Sequence, residues 1–214
     1  MPYLGEKPSV GSRSSLNAST TIGSAVAEDT KLVFDGNAQD FHIGLDDTAD
    51  DLVIGLGSAL GTTTHMSFDE AGIVSLPLQP GCSVIHSGHQ TIATGTWTKM
   101  TWQTERFDTN GDYDNSTNYR FTCPVDGIYC VAVSISFHIG ANSLASAAVH
   151  INGSELHRSN DRSSQTSNST HNVNTVAFIK CDATDYIEGF AAHEHGSDDA
   201  ITAEYSYMSI MKVA

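Results

Sequence analysis

Basic residues are scarce in this chain: 10 Lys and Arg stand against 25 Asp and Glu, which gives a formal net charge of −15. A phosphate backbone repels such a chain, so we expect no nucleic-acid binding. No run approaches the roughly 20 apolar residues of a membrane-spanning helix, and no membrane insertion is expected. The N-terminal segment 1–8 lacks the apolar block of a secretory signal, so no passage through a secretory pathway is expected unless a leader has been removed.

Catalytic and metal-binding motifs are also missing. The chain contains neither a G-x-S-x-G nor an H-E-x-x-H motif, and we expect no enzymatic activity. Its cysteines, Cys82, Cys123, Cys130 and Cys181, show no C-x-x-C spacing. Cys123 and Cys130 could face each other across a hairpin. The favoured interpretation is that all of them are small buried hydrophobes in a chain that folds in a reducing cytoplasm.

Turn residues and short apolar runs predict an all-β fold. Glycine is plentiful at 18 residues, and no segment holds a helical period. Asn152-Gly153 is the strongest hairpin signal in the chain. Between Ile128 and His138 the apolar residues alternate, which predicts a strand with one buried face. That face comprises Tyr129, Val131, Val133, Ile135 and Phe137.

The chain divides into three segments by composition. Residues 1–24 are rich in Ser, Thr, Gly and Pro and predict either an extended attachment arm or a disordered tail. Residues 25–80 contain short strands around acidic turns, and residues 81–214 are strand after strand, typical of a jelly roll or sandwich. The strands of 25–80 are too few to close a core, so we expect a trimeric β-prism-like shaft in which three copies share one. The residues expected in that shared core are Leu32, Phe34, Ile43, Leu52, Ile54 and Ile73.

Oxygen-bearing side chains recur at every second position in one turn: Asp108, Asn110, Asp112 and Asp114. Calcium prefers six to eight oxygen ligands on a flexible loop, and this spacing supplies several of them. The segment is therefore a candidate calcium site, although no cofactor is required by anything else in the sequence. A solvated acidic turn is the alternative interpretation.

Three further features are candidates for contact with a ligand. His193-Glu194-His195 would place two imidazoles on one strand face, where a threefold axis could gather a transition metal. The polar segment Ser154 to Asn172 predicts a long loop, and its Arg158, Asp161 and Arg162 are the expected receptor-facing residues. Exposed aromatic residues could stack on sugars, although such residues near strands more often belong to a core. The aromatic candidates are Trp97, Trp102, Tyr113 and Tyr119.

One segment resembles a known family. Phe121, Gly127, Tyr129 and Val131 reproduce the spacing of the signature in the complement-q globular head, a member of the tumour-necrosis-factor-like superfamily of trimeric jelly rolls. The physical reading agrees with the resemblance, because residues 124–127 make a tight turn and Phe121 and Tyr129 face a core. The family usually carries an aromatic residue at the position of Val131. The resemblance covers about 120 residues and implies a homotrimeric jelly-roll head.

A second resemblance concerns the segment before Pro80. Residues 29–37, 40–47 and 51–55 are similar to shaft segments in structural proteins of marine tailed bacteriophages, at whose fibre tips complement-q-like heads recur. The two resemblances together imply a virion fibre protein that assembles in the host cytoplasm. Its arm would dock on other virion proteins, and its head would bind a glycan or protein receptor on the host surface.

Two alternatives remain open from the sequence. A capsid head fibre or decoration protein would need the same anchor and exposed end, so the sequence does not separate a tail location from a capsid location. A secreted, lectin-like soluble trimer is the third interpretation, and the shaft-like segment argues against it.

Overall fold

A computed structural model describes residues 21–86, 88–140, 142–164, 167, 169–196, 199–200 and 205–214. Of the expected attachment arm, residues 1–24, positions 1–20 lie outside the described residues. The described part of the chain contains strands and turns and no α-helix, and hence no helix that could span a bilayer. It forms two compact units, of which the first ends at Pro77 and the second runs from Leu78 to Ala214.

The first unit is one antiparallel five-stranded sheet with its strands in chain order. Acidic turns join the second strand to the third and the fourth strand to the fifth: the Asp46 carboxylate accepts the backbone N–H groups of Thr48 and Ala49, and the Asp69 carboxylate accepts that of Ile73. These side chains fix the tight turns that the sequence pattern indicates. The strands are β1 (Thr30–Phe34), β2 (Phe41–Asp46), β3 (Asp51–Leu56), β4 (Thr64–Phe68) and β5 (Val74–Ser75).

One face of this sheet is apolar across all five strands, and among the described residues its side chains are exposed or half-buried. Residues directly opposite each other in an antiparallel pair share a face, and the pairing aligns Leu32, Ile43, Ile54 and Met66 in one row. We call this surface the open face. Its apolar members are Leu32, Phe34, Phe41, Ile43, Leu45, Leu52, Ile54, Leu56, Met66, Phe68 and Val74.

The opposite face is partly covered by the chain itself. His42 is fully buried, and its Nδ1 lies 2.9 Å from the Gly57 carbonyl oxygen. A Cβ at Gly55 would lie 2.7 Å from the His42 ring, so only glycine fits beside it. Within residues 21–77, the described part of the first unit, one face is therefore shielded by the chain, and the open face stays exposed or half-buried.

The second unit is a two-sheet sandwich. One sheet has the order β10-β11-β16-β13-β14, with β8 also paired to β16; the other has the order β15-β12-β18-β6-β9, and β17 pairs with β7 separately. Their facing side chains form one core. The strands are β6 (Gly81–Ile85), β7 (Thr91–Ile92), β8 (Thr98–Lys99), β9 (Thr104–Asp108), β10 (Tyr113–Asp114), β11 (Arg120–Thr122), β12 (Gly127–Ile139), β13 (Leu144–Ile151), β14 (Ser154–Arg162), β15 (Ser169–Cys181), β16 (Tyr186–His193), β17 (Asp199–Ala200) and β18 (Tyr207–Lys212).

Two local predictions are confirmed in this unit. Strand β12 buries the whole alternating set from Tyr129 to Phe137. Asn152 and Gly153 have φ of 51° and 76° and form the two-residue connection between β13 and β14, whose ends pair as Ile151 with Ser154. Positive φ at both positions is the signature of a type I′ hairpin turn.

The expected long loop from Ser154 to Asn172 is wrong. Its first nine residues form β14, because the type I′ turn sends the chain straight back along β13. Strand β14 is a solvent-exposed edge strand, and its polar sequence therefore lacks the apolar alternation that predicts a strand. Near the C-terminus, the last strand begins at Tyr207, and Ser206 directly before it accepts the Ser136 N–H with its side-chain oxygen.

The signature segment lies at the centre of the core. The Phe121 and Tyr129 rings are fully buried and meet edge to face at 5.9 Å. The Tyr129 hydroxyl donates to the Val125 carbonyl oxygen at 2.8 Å, which closes the turn. A Cβ at Gly127 would lie 2.5 Å from the carbonyl oxygen of Ala214, so glycine is required where the C-terminus crosses.

Residues 78–81, which span the segment boundary expected after position 80, are bound into the second unit. The Gln79 amide donates to the Lys212 carbonyl oxygen at 2.6 Å, and the Lys212 N–H donates to the Pro80 carbonyl oxygen at 2.9 Å. The boundary between the units accordingly falls at Pro77–Leu78.

Candidate functional site

A pocket of about 310 Å³ opens on the outer face of the sheet that contains β16, β13 and β14. We call it the outer pocket. It combines one aromatic side chain, small residues, and polar groups of both charge signs. Its lining includes Trp97, Ser146, Arg158, Asn160, Ala192 and Glu194.

Strand pairing builds the floor and one wall of the outer pocket. Ser146 lies opposite Ala192 on one side and opposite Asn160 on the other, so these residues form one row across three strands. Arg158 belongs to the next row, opposite Ala148. The small residues in the middle of the rows leave the space that the pocket occupies.

Trp97 forms the other wall and is held in place by its neighbours. Strand β8 follows it directly and pairs with Phe190 and Ala191. Before it, the Gly95 N–H donates to the His193 carbonyl oxygen at 2.7 Å. The Lys99 ammonium forms an ion pair with the buried Glu188 carboxylate, which fixes the segment further. The backbone that carries the indole is therefore fixed on both sides of Trp97.

An aromatic row continues beneath Trp97. The centroid of its ring lies 6.2 Å from that of His150. The His150 ring stacks on Phe190, with a centroid distance of 3.8 Å and an interplanar angle of 15°. Burial lowers the pKa of His150, while the nearby Glu155 and Glu188 carboxylates act in the opposite direction. The neutral imidazole is thus the form that supports the pocket wall.

Acidification is expected to weaken the second unit through His150. Its folded pKa lies below the ordinary 6.5, so the unfolded chain takes up the proton first as the pH falls. The contribution to stability is fully present above about pH 6.5 and decreases as the pH falls from there towards the folded pKa. Urea denaturation at pH 7.5 and pH 5 should show a larger loss for the parent protein than for His150→Phe. Equal losses would contradict the assignment.

The structure separates the three expected receptor-facing residues. Arg158 lines the outer pocket, with its Nε 3.4 Å from the Glu155 carboxylate. Arg162 shares that face, and its Nη1 donates to the Asn142 carbonyl oxygen at 2.7 Å. Asp161 points to the other face of β14, where its carboxylate lies 3.4 Å from the Nε2 of His171. Only Arg158 belongs to the pocket.

The acidic segment that is the candidate calcium site caps two successive turns. The Asp108 carboxylate accepts the N–H groups of Gly111, Asp112 and Tyr113. The Asp114 carboxylate accepts those of residues 116–118, which hold its pKa well below the usual range.

The other two members of this segment interact with each other: burial and the Asp108 carboxylate raise the pKa of Asp112, and a hydrogen bond with the Asn110 side chain opposes this shift. The Asn110 amide lies 3.4 Å from the Leu78 carbonyl oxygen. Within the described ranges, no group of three or more His, Cys, Asp or Glu side chains is placed to hold a metal. The calcium site stays a prediction, and the geometry assigns the Asp108 and Asp114 carboxylates a turn-capping role.

The proposed histidine metal pair is wrong. His193 is buried, and its Nε2 lies 2.8 Å from the Ile92 carbonyl oxygen, while its Nδ1 accepts the His195 N–H at 3.1 Å. Both ring nitrogens are therefore used inside the protein. Strand β16 ends at His193, so His195 does not continue its face.

The remaining candidates divide between core and surface. Trp102 is fully buried, and the buried Tyr113 donates its hydroxyl to the Trp102 carbonyl oxygen at 3.3 Å. Tyr119 is half-buried at the turn before β11, outside the pocket. The cysteines are free, and all are buried except Cys130, which is half-buried on the face opposite Tyr129. The hairpin pairing of Cys123 with Cys130 is therefore absent.

A second apolar surface lies on the outside of the other sheet. Phe178 is 70% exposed and stands opposite Cys130, which stands opposite Met211 on the next strand. Exposed contiguous apolar side chains of this kind mark interaction surfaces. We call it the head face; its members are Phe107, Ile128, Cys130, Ala132, Val176, Phe178 and Met211.

Solved structures resemble this fold at low sequence identity. Eiger TNF from S. frugiperda matches with a TM-score of 0.50 and 11% identity, covering 64% of this chain and 93% of that one. The globular domain of zebrafish complement 1qA matches with a TM-score of 0.49 and 14% identity, and the match covers 63% of this chain and 98% of that one. Murine APRIL matches with a TM-score of 0.49 and 10% identity, and the match covers 63% of this chain and 99% of that one.

These matches concern the fold alone. No model of a known protein family matches the chain, and no curated protein does. The likeness to Eiger TNF and the two-sheet architecture confirm the expected all-β class and jelly-roll head.

Sequence reasoning missed Asn160, Ser146 and Glu194 as pocket residues. A usable signal existed: once Asn152-Gly153 is taken as a two-residue turn, Arg158, Asn160 and Arg162 must alternate onto one face of a returning strand. No comparable local signal exists for Glu194, whose N–H is fixed by the Leu144 carbonyl oxygen at 2.9 Å across the sheet.

Proposed function

We propose that the protein is a non-enzymatic, homotrimeric fibre protein of a virus particle, and that its jelly-roll head contacts a receptor on the host surface. The observation that carries the proposal is the open face. A single-layer sheet whose apolar side is exposed or half-buried on all five strands does not bury enough surface to be stable alone.

Two further copies of the same chain are the proposed cover for the open face. No member of that face is charged, so chains that each carry a net charge of −15 can meet there without placing like charges in contact. The head face offers a second apolar surface to the same association. Burying about half of each open-face side chain contributes on the order of 10 kcal/mol per copy, which is enough for an obligate assembly.

The proposal also assigns roles to the two ends of the chain. Residues 1–24 attach the trimer to other virion proteins, and the jelly roll is the exposed end. Three heads per trimer multiply weak single-site contacts with the host surface. Labelled antibodies against the head, imaged on intact particles, separate a tail fibre from a capsid fibre or decoration protein.

The purified chain is expected to sediment as a stable trimer of three times 22.8 kDa and to block adsorption of the virus to its host cells when added in excess. Analytical ultracentrifugation and a plaque-based adsorption assay measure the two properties. A monodisperse monomer would contradict the trimer, and full adsorption in the presence of excess trimer would contradict the receptor role.

A further inference from the structure

We infer that the outer pocket binds a neutral saccharide, with Trp97 as the stacking surface and Arg158, Asn160 and Glu194 as hydrogen-bonding partners of its hydroxyl groups. The inference rests on the proposed role of the head in host contact. It adds the ligand class and the residues that recognise it.

The size and lining of the pocket suit a small polar ligand. Its volume of about 310 Å³ lies at the lower end of the roughly 300–1,000 Å³ typical of ligand pockets. The wall formed by Trp97 is a broad apolar ring, whereas Ser146, Asn160 and Glu194 present polar atoms. A ligand with one apolar face and a polar rim matches this division, and a pyranose ring has that form.

The polar groups match hydroxyl groups in particular. Each sugar hydroxyl donates one hydrogen bond and accepts others, so its site must offer donors and acceptors side by side. The Arg158 guanidinium supplies donors, the Glu194 carboxylate supplies acceptors, and the Asn160 amide supplies both. Arg158 pairs with Glu155 through Nε, and its two terminal nitrogens carry further N–H donors.

Charge decides between a neutral and an acidic sugar. The pocket holds one guanidinium and one carboxylate, and a second carboxylate, Glu155, lies 3.4 Å from that guanidinium. Glu155 partly neutralises Arg158, so an anionic ligand would be attracted only weakly by the guanidinium. It would also be repelled by Glu194 and by the net charge of −15. A neutral sugar meets no such penalty.

Rigid placement of the contact residues favours binding. Strand β8 and the Gly95 hydrogen bond hold Trp97, β14 holds Arg158 and Asn160, and the Leu144 carbonyl oxygen holds the backbone of Glu194. Little freedom is lost when a ligand enters. A single ring has few atoms, so we expect a dissociation constant in the millimolar range for a monosaccharide and tighter, avid binding by the trimer to a saccharide-coated surface.

Saturation-transfer NMR of the full-length protein tests the inference with the methyl glycosides of glucose, galactose, mannose and N-acetylglucosamine, and with N-acetylneuraminic acid as the acidic probe. We expect saturable transfer to at least one neutral glycoside. Trp97→Ala should abolish it, and Arg158→Gln should weaken it about tenfold. Arg120→Gln, on the same sheet but stacked over Tyr186 away from the pocket, should bind as the parent does.

Three outcomes would overturn the inference: no saturable transfer to any neutral glycoside, transfer to N-acetylneuraminic acid alone, or unchanged binding by Arg158→Gln. Should Trp97→Ala fail to fold, Trp97→Phe keeps an aromatic ring and should retain weakened binding. The adsorption assay separates this inference from the proposed function. A parent trimer that blocks adsorption yet binds no neutral glycoside refutes the saccharide pocket alone, whereas a parent trimer that never blocks adsorption refutes the receptor role. Variants of Trp97 and Arg158 that bind no sugar yet still block adsorption show that the pocket binds a saccharide without being the receptor contact.

Discussion

Replacing Ile43 by aspartate is expected to destroy the first unit of the assembled protein. Ile43 lies in the middle of the open face, directly opposite Leu32 and Ile54. In a single chain it is 39% exposed, and an aspartate there would remain hydrated at little cost. In a trimer that covers the open face, each copy would bury an unpaired carboxylate, which costs several kcal/mol per charge on the scale of roughly 3–5 kcal/mol for an uncompensated buried ion.

Limited proteolysis with thermolysin, followed by mass spectrometry, measures the effect where it arises. We expect residues 25–77 to resist cleavage in the parent trimer and to be cut within minutes in Ile43→Asp. Sedimentation velocity on the same samples should show a loss of trimer at micromolar concentration, because each copy then contributes less to association.

Ser75→Asp is the matched control for this experiment. Ser75 is exposed on β5 and stands opposite Ser67, so it belongs to the other face of the same sheet. The same charge added there should leave both protection and sedimentation unchanged. Ile43→Asp and Ser75→Asp behaving alike would show that sister chains do not cover the open face.

The sequence indicates the first unit well because its turns are local. Acidic side chains such as Asp46 cap their own turns, and the apolar runs between them have the length of a strand. The apolar residues then fall on one face by alternation alone. The alternation of residues along one chain does not show what covers that face, because the proposed cover is another copy of the chain.

The outer pocket could be predicted only in part, because it depends on contacts between residues far apart in the chain. Trp97 and Arg158 stand out by residue type. That they face each other follows from the pairing of β16 with both β8 and β13, and of β13 with β14. The polar sequence of β14 reads as a loop, since an exposed edge strand needs no apolar alternation. The sequence His193-Glu194-His195 resembles a metal-binding motif, although both ring nitrogens of His193 form hydrogen bonds with backbone groups.

Replacing Phe121 or Tyr129 by alanine is expected to cost the second unit about 3–5 kcal/mol of stability each. Both rings are fully buried, and they pack edge to face across the signature segment. Truncation removes the apolar contact and leaves a cavity that the surrounding β-sandwich cannot close. The loss should lower the melting temperature of the second unit by about 10 °C or more, as measured by differential scanning calorimetry.

Two further substitutions separate the cavity from the polar contribution. Tyr129→Phe keeps the ring and removes only the hydroxyl hydrogen bond to the Val125 carbonyl oxygen, so it should cost about 1 kcal/mol. Val125→Ala, in the adjoining turn and 46% exposed, should change the melting temperature little. A melting temperature that stays constant in Phe121→Ala or Tyr129→Ala would contradict the packing of this segment. Equal losses in Tyr129→Ala and Tyr129→Phe would place the energy in the hydrogen bond instead of the ring.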